Sequence, residues 1–138
     1  MQFLPVVVAA LSTMVIGFLW YSPVLFAKPW MRASGYDIND KEQMAKMRKG
    51  MGVTYLRALL ASLFAAFVLR WVFLLAGIAS SVKGVELGIL VCLGFVNTVQ
   101  YTAMLFMRQH YLLFLINAGY QLACYAAMGA ILGGWHMA

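Results

Sequence analysis

Four apolar blocks, residues 3–21, 53–76, 85–106 and 111–135, constrain this chain more than any other feature. Each approaches the ~20 residues a helix needs to cross ~30 Å of hydrocarbon. Inside such a layer every backbone N–H and C=O must be satisfied internally, and a helix does so alone. The 138 residues are 64% hydrophobic and 10% charged, whereas a soluble domain is roughly half apolar and a quarter charged. The chain therefore reads as an all-α integral membrane protein in one domain, residues 1–138, with four transmembrane helices. A cytoplasmic interfacial and amphipathic segment, residues 23–50, joins the first two. A cleaved signal peptide fits the first block poorly: Met1-Gln2-Phe3 has no basic n-region, and the block is long for an h-region.

A formal charge of +6 raises the question of nucleic acid. Of the ten Lys and Arg residues, Lys28, Arg32, Lys41, Lys46, Arg48 and Lys49 share one loop, and Arg108 marks the short turn before the last block. The positive-inside rule accounts for this placement without any nucleic acid. It puts the long loop and the Arg108 turn on the cytoplasmic side and both termini outside.

The stretch Gly17 to Met31 starts as membrane and ends otherwise. Trp20-Tyr21 suits the headgroup layer, and Ser22-Pro23 resembles a helix start, with serine capping and proline first. The expected path is an exit after Tyr21 and a second helix from Pro23 lying in the interface, with Lys28 toward phosphate and Trp30 toward lipid. The competing path is one long helix kinked at Pro23. Further on, Asn39 and Glu42 have capping-box spacing, and Met44, Met47 and Met51 recur at helical intervals. A helix resting on the bilayer is the plainer reading of this segment, and a docking helix for a partner the sharper one. Gly50 and Gly52 separate it from the second block.

Arg57 and Arg70 lie ~20 Å apart along one helix and on different faces, so they form no single charge pathway. Arg70 is expected to pair with Glu86 at the start of the third helix. Gly84 and Gly88, like Gly129 and Gly133, have the small-xxx-small spacing that lets helices approach closely in lipid. Asn97, Gln100 and Tyr101 share one face of the third helix, as do Asn117, Tyr120 and Gln121 on the fourth. A tight turn near Gln109 would set Asn97 opposite Gln121 and Tyr101 opposite Asn117. This cluster is read first as polar glue between helices, and second as a neutral pocket for a small solute, an ion or a lipid headgroup. Cys92 lies ~140° round an ideal helix from Asn97, so the two are not expected on one face, and no disulfide to Cys124 is expected. His110 and His136 fall on opposite sides of the membrane. No Gly-rich phosphate loop, metalloprotease motif or serine-nucleophile elbow is present, so neither an enzyme nor a cofactor or metal site is expected.

Gly17, Trp20, Tyr21, Ser22, Pro23, Leu25, Phe26, Lys28 and Trp30 resemble the opening signature of a bacterial membrane family, domain of unknown function 1761. The stretch Ile116 to Leu132 is similar to that family's last helix. The resemblance covers nearly the whole chain and implies a small four-helix protein of the bacterial inner membrane, with no established activity. Ala27 stands where a glycine would be expected. Two roles stay open: an oligomeric carrier or channel for a small solute, or a non-catalytic accessory subunit docking a larger membrane complex through residues 20–50. The expected partners are the lipid bilayer and further copies of the chain or another membrane protein.

Overall fold

The computed structural model describes residues 3–22, 24–35 and 39–135, with Met47 described in its backbone alone. These residues form six helices and no strand: α1 Leu4–Trp20, α2 Ala27–Ala33, α3 Lys41–Arg48, α4 Met51–Ala76, α5 Ser81–Met107 and α6 Tyr111–Gly134. Helices α4, α5 and α6 are long and apolar enough to cross a membrane, as a membrane protein would have them. Four spans were expected. At 17 residues α1 is shorter than the other three, about 25 Å at the standard rise. It loses length at both ends, because Phe3 is its N-cap and Tyr21 has left helical geometry.

The exit after α1 differs from the expectation in one respect. The chain does not continue helically, but the next helix begins at Ala27 rather than at Pro23, which lies outside the described residues. Ser22 does not cap forward. Its Oγ turns back and donates to the Leu19 carbonyl at 2.7 Å. Its own carbonyl accepts from Leu25 and Ala27, while the Phe26 N–H bonds the Trp20 carbonyl. Pro29 falls in the first turn of α2, where its missing N–H leaves no bond broken. The cap of α3 is Asp40 rather than Asn39, accepting from the N–H groups of Glu42 and Gln43. Gly50, at φ 79°, ends that segment, and Met51 and Gly52 already belong to α4. The methionine stripe is therefore divided between two helices.

Helix α6 is central. It packs along α5 on one side and against α1 on the other, and α1 packs against α4. Among the described residues no extensive contact joins α4 to α5, so the helices follow the order α4–α1–α6–α5, with α4 also touching α6. Val6 and Ala9 of α1, Ala66, Leu69 and Phe73 of α4, and Met128 and Leu132 of α6 form the core. Leu60, Phe64, Trp71 and Leu75 of α4 and Leu90, Phe95, Val99 and Phe106 of α5 are exposed. Large apolar side chains turned outward over two whole helices are what lipid-facing surfaces require and what soluble monomers avoid.

The glycine stripes form the α5–α6 seam. A Cβ on Gly84 would meet the Gly129 carbonyl, one on Gly88 would lie 2.5 Å from the Tyr125 carbonyl oxygen, and one on Gly133 2.5 Å from that of Ser80. Ser81 Oγ donates across the seam to the Ala130 carbonyl at 3.0 Å.

Candidate functional site

The aromatic end of α1 is anchored on the middle of α6. The Trp20 indole N–H donates to the Ile116 carbonyl at 3.0 Å, and its ring lies over Gly119, where a Cβ would come within 3.0 Å of it. The Tyr21 hydroxyl donates to Asn117 Oδ1 at 2.5 Å. The Tyr21 ring meets Trp30 of α2 edge-on at 5.9 Å and Tyr120 of α6 at 5.3 Å. Tyr120 in turn donates to the Thr13 carbonyl at 3.2 Å and covers Gly17, whose absent side chain leaves room for the phenol. Thr13 Oγ1 and Ser62 Oγ of α4 lie 3.0 Å apart, so polar contacts run from α4 through α1 to α6.

This lock walls a chamber of about 410 Å³. Gly17 and Tyr21 supply one side, Trp30 another, the first turns of α4 with Tyr55 a third, and Asn117 and Tyr120 the fourth. Its lining is mostly aromatic and aliphatic, with the phenols, the Trp30 indole, the Thr54 hydroxyl and the Asn117 amide as polar groups. Among the described residues it holds no carboxylate, imidazole, thiol or amine. A second cavity, about 510 Å³, lies at the end of α2 beside the α5–α6 turn and is lined by Ser34, Arg108, Gln109 and His110. Trp30 and Asn117 line both.

The cluster expected between α5 and α6 is split. Asn97 is buried, but its amide donates to Gln100 Oε1 at 2.9 Å and to the Ala118 carbonyl at 3.4 Å, not to Gln121. Ala118 is less than one turn from Gln121, so the expected depth was near and the expected partner wrong. Tyr101 is exposed and sets its ring against Phe114 instead of meeting Asn117. Asn117 and Tyr120 turn to α1. The cause is a π-helical segment, Cys92–Asn97, in the middle of α5. A π turn brings residues five apart together, so Cys92 Sγ lies 3.6 Å from Asn97 Oδ1, both buried. The expectation that they occupy different faces assumed an ideal α-helix. Both cysteines are free.

Arg70 does not reach Glu86. It is buried, and Nη1 donates to the Leu132 carbonyl at 3.0 Å in the last turn of α6, while Glu86 is exposed. A cation at a helix C-terminus meets carbonyls that have no partner of their own, and this supplies what the carboxylate was expected to. Of the opening signature, Trp20, Tyr21 and Trp30 enter the site, Ser22 shapes the exit, and Lys28 is exposed. Sequence reasoning passed over Gly17 and Gly119 as seats for aromatic rings and the Thr13–Ser62 pair, and it read the Arg108–His110 turn for topology alone. Small residues facing a Trp-Tyr pair were the signal available for the first two.

A protein-family model described as "Protein of unknown function (DUF1761)" matches residues 4–133, from the first turn of α1 to the last of α6. No curated protein and no solved structure matches the chain.

Proposed function

We propose, for a chain that belongs to the DUF1761 family of proteins of unknown function, a non-catalytic role in the membrane: holding a small, largely apolar molecule in the chamber between α1, α2, α4 and α6. The observation that carries this reading is the chamber itself. Its volume of about 410 Å³ lies within the ~300–1,000 Å³ usual for small-molecule sites, which are mostly apolar with a few placed polar groups. Its walls include Gly17, Tyr21 and Trp30 of the opening signature together with Tyr55, Asn117 and Tyr120. Of the two roles left open by the sequence, carrier and accessory subunit, a mostly apolar cavity of this size favours carriage of a ligand. The polar faces of α5 and α6 are better read as glue, since Asn97 spends its amide on Gln100 and Ala118.

Filling the chamber tests this. Ala58 of α4 lines it and is otherwise exposed. In nanodiscs of neutral lipid, the full chain should bind an uncharged dansyl-labelled alkyl amide saturably. Ala58→Trp should weaken that binding by about tenfold or more, the equivalent of ~1.4 kcal/mol, with an unchanged melting temperature. Equal binding by both proteins would remove the chamber as the site.

A further inference from the structure

The two cavities share Trp30 and Asn117 in their linings, and they differ in character. The chamber is aromatic and uncharged. The vestibule beyond it is lined by Ser34, Arg108, Gln109 and His110. His110 Nδ1 accepts the Leu112 N–H at 3.1 Å, which leaves the hydrogen of the neutral ring on Nε2 as a donor. Ser34 Oγ is buried and has no hydrogen-bond partner among the described residues. Neither cavity is lined by a carboxylate among those residues.

We infer that vestibule and chamber form one site for an amphiphile with an anionic headgroup, such as an alkyl phosphate, its oxyanion held by Arg108 and His110 and its chain passing Trp30 into the chamber. This deepens the proposed ligand-holding role and rests on it. Arg108 is the one full charge among the described vestibule residues and has no acidic neighbour there to neutralise it. Charge-assisted bonds from a guanidinium to an oxyanion are the strongest hydrogen bonds available to such a site.

The backbone of the turn points the same way. Arg108 sits in the left-handed region at φ 53°, the only described non-glycine residue to do so, while the other positive-φ positions are Gly35, Gly50 and Gly77. The turn requires that conformation: the Arg108 N–H bonds the Leu105 carbonyl and the Gln109 N–H that of Met104, the pairing that closes a helix with a left-handed residue. Glycine would meet it without strain. An arginine here contributes nothing to the turn that glycine would not contribute better, so its side chain is what the position supplies.

The substitution that separates the two roles is therefore Arg108→Gly. The full chain, in nanodiscs of neutral lipid and loaded with the dansyl alkyl amide, is titrated with dodecyl phosphate, dodecanol or inorganic phosphate. Wild type should release the probe to dodecyl phosphate at a concentration at least about tenfold below that needed with dodecanol. Inorganic phosphate alone should release none. Arg108→Gly should bring dodecyl phosphate to the level of dodecanol with a melting temperature equal to or above wild type. Arg108→Asn, which also tolerates positive φ, should repeat the loss if the glycine variant does not fold. Equal potency of dodecyl phosphate and dodecanol on wild type, or a gap that survives both substitutions, would overturn the anionic headgroup while leaving the chamber intact. Failure of dodecanol to compete would overturn the chamber reading itself. Release by inorganic phosphate would make the vestibule a free-anion site and overturn the amphiphile.

Discussion

Gly129→Val should cost the chain more stability than any change to the aromatic lock or the chamber walls. A Cβ at that position would meet the Gly84 carbonyl oxygen, with the Gly84 carbonyl carbon at 2.7 Å and the Val85 nitrogen at 3.1 Å. These are backbone atoms in the first turns of α5 and cannot rotate aside as a side-chain tip would. Either the helices separate along the seam or α5 loses its first turns. Separation is costly in lipid, because tails outside are as apolar as the interface and close packing supplies most of the attraction between helices. Overpacking of a tight site typically costs ~1–3 kcal/mol, occasionally more, and the upper end applies where both partners are backbone. Unfolding followed by tryptophan fluorescence in a mild detergent mixture should show it as a large fall in the midpoint. Gly84→Val, across the same contact, should behave alike. Gly94→Ala is the control: on the same helix, its Cβ meets nothing within 4 Å, and the midpoint should hold or rise. A wild-type midpoint for Gly129→Val would falsify the backbone-to-backbone seam.

Trp20→Ala should have the next largest effect, and it would reach the chamber as well as the fold. The indole bonds the Ile116 carbonyl, covers Gly119 and lies 5.0 Å from the Phe26 ring. A fully buried Trp→Ala typically costs ~3–5 kcal/mol. Trp20 is half-buried, so about 2–3 kcal/mol is expected. Trp20→Phe keeps an aromatic ring on Gly119 and removes the N–H, and should cost only about 1 kcal/mol, the net worth of one hydrogen bond. The gap between the two substitutions thus reports ring packing apart from hydrogen bonding. The alanine variant also frees the end of α1, so Tyr21 should lose its fixed approach to Asn117. The uncharged alkyl probe should then bind more weakly, with the phenylalanine variant close to wild type. Equal effects of alanine and phenylalanine would place the anchor in the hydrogen bond and not in the ring.

Both predictions depend on residues whose types could be noticed in the sequence but whose partners could not. The glycine pairs at 84 and 88 and at 129 and 133 carried the right spacing, and the structure sets them face to face. Trp20, Tyr21 and Trp30 stood out as interfacial aromatics, yet nothing local says that Tyr21 turns to Asn117 rather than to headgroups. For Asn97 the ideal-helix angle was misleading. The π segment Cys92–Asn97 reorders the face of α5, and a π turn has no reliable signature in residue types. Arg70 was assigned the nearest carboxylate by charge alone, where the carbonyls ending α6 are satisfied without a second buried charge.

What the sequence determined by itself is the helical class and three of the apolar segments long enough to span a membrane. Both follow from quantities counted along the chain: hydrocarbon thickness, rise per residue and the need to satisfy each backbone group within its own segment. The turn glycine Gly50 belongs to the same category, since positive φ is a local steric matter. The tertiary structure alone decided the row α4–α1–α6–α5, the union of the α1 signature with Asn117 and Tyr120, and the left-handed Arg108 at the mouth of a cavity. These depend on which helix faces meet, and that is settled by side-chain volumes fitting across space. Between helices of nearly uniform apolarity, no hydrophobic pattern along the chain marks the face that packs.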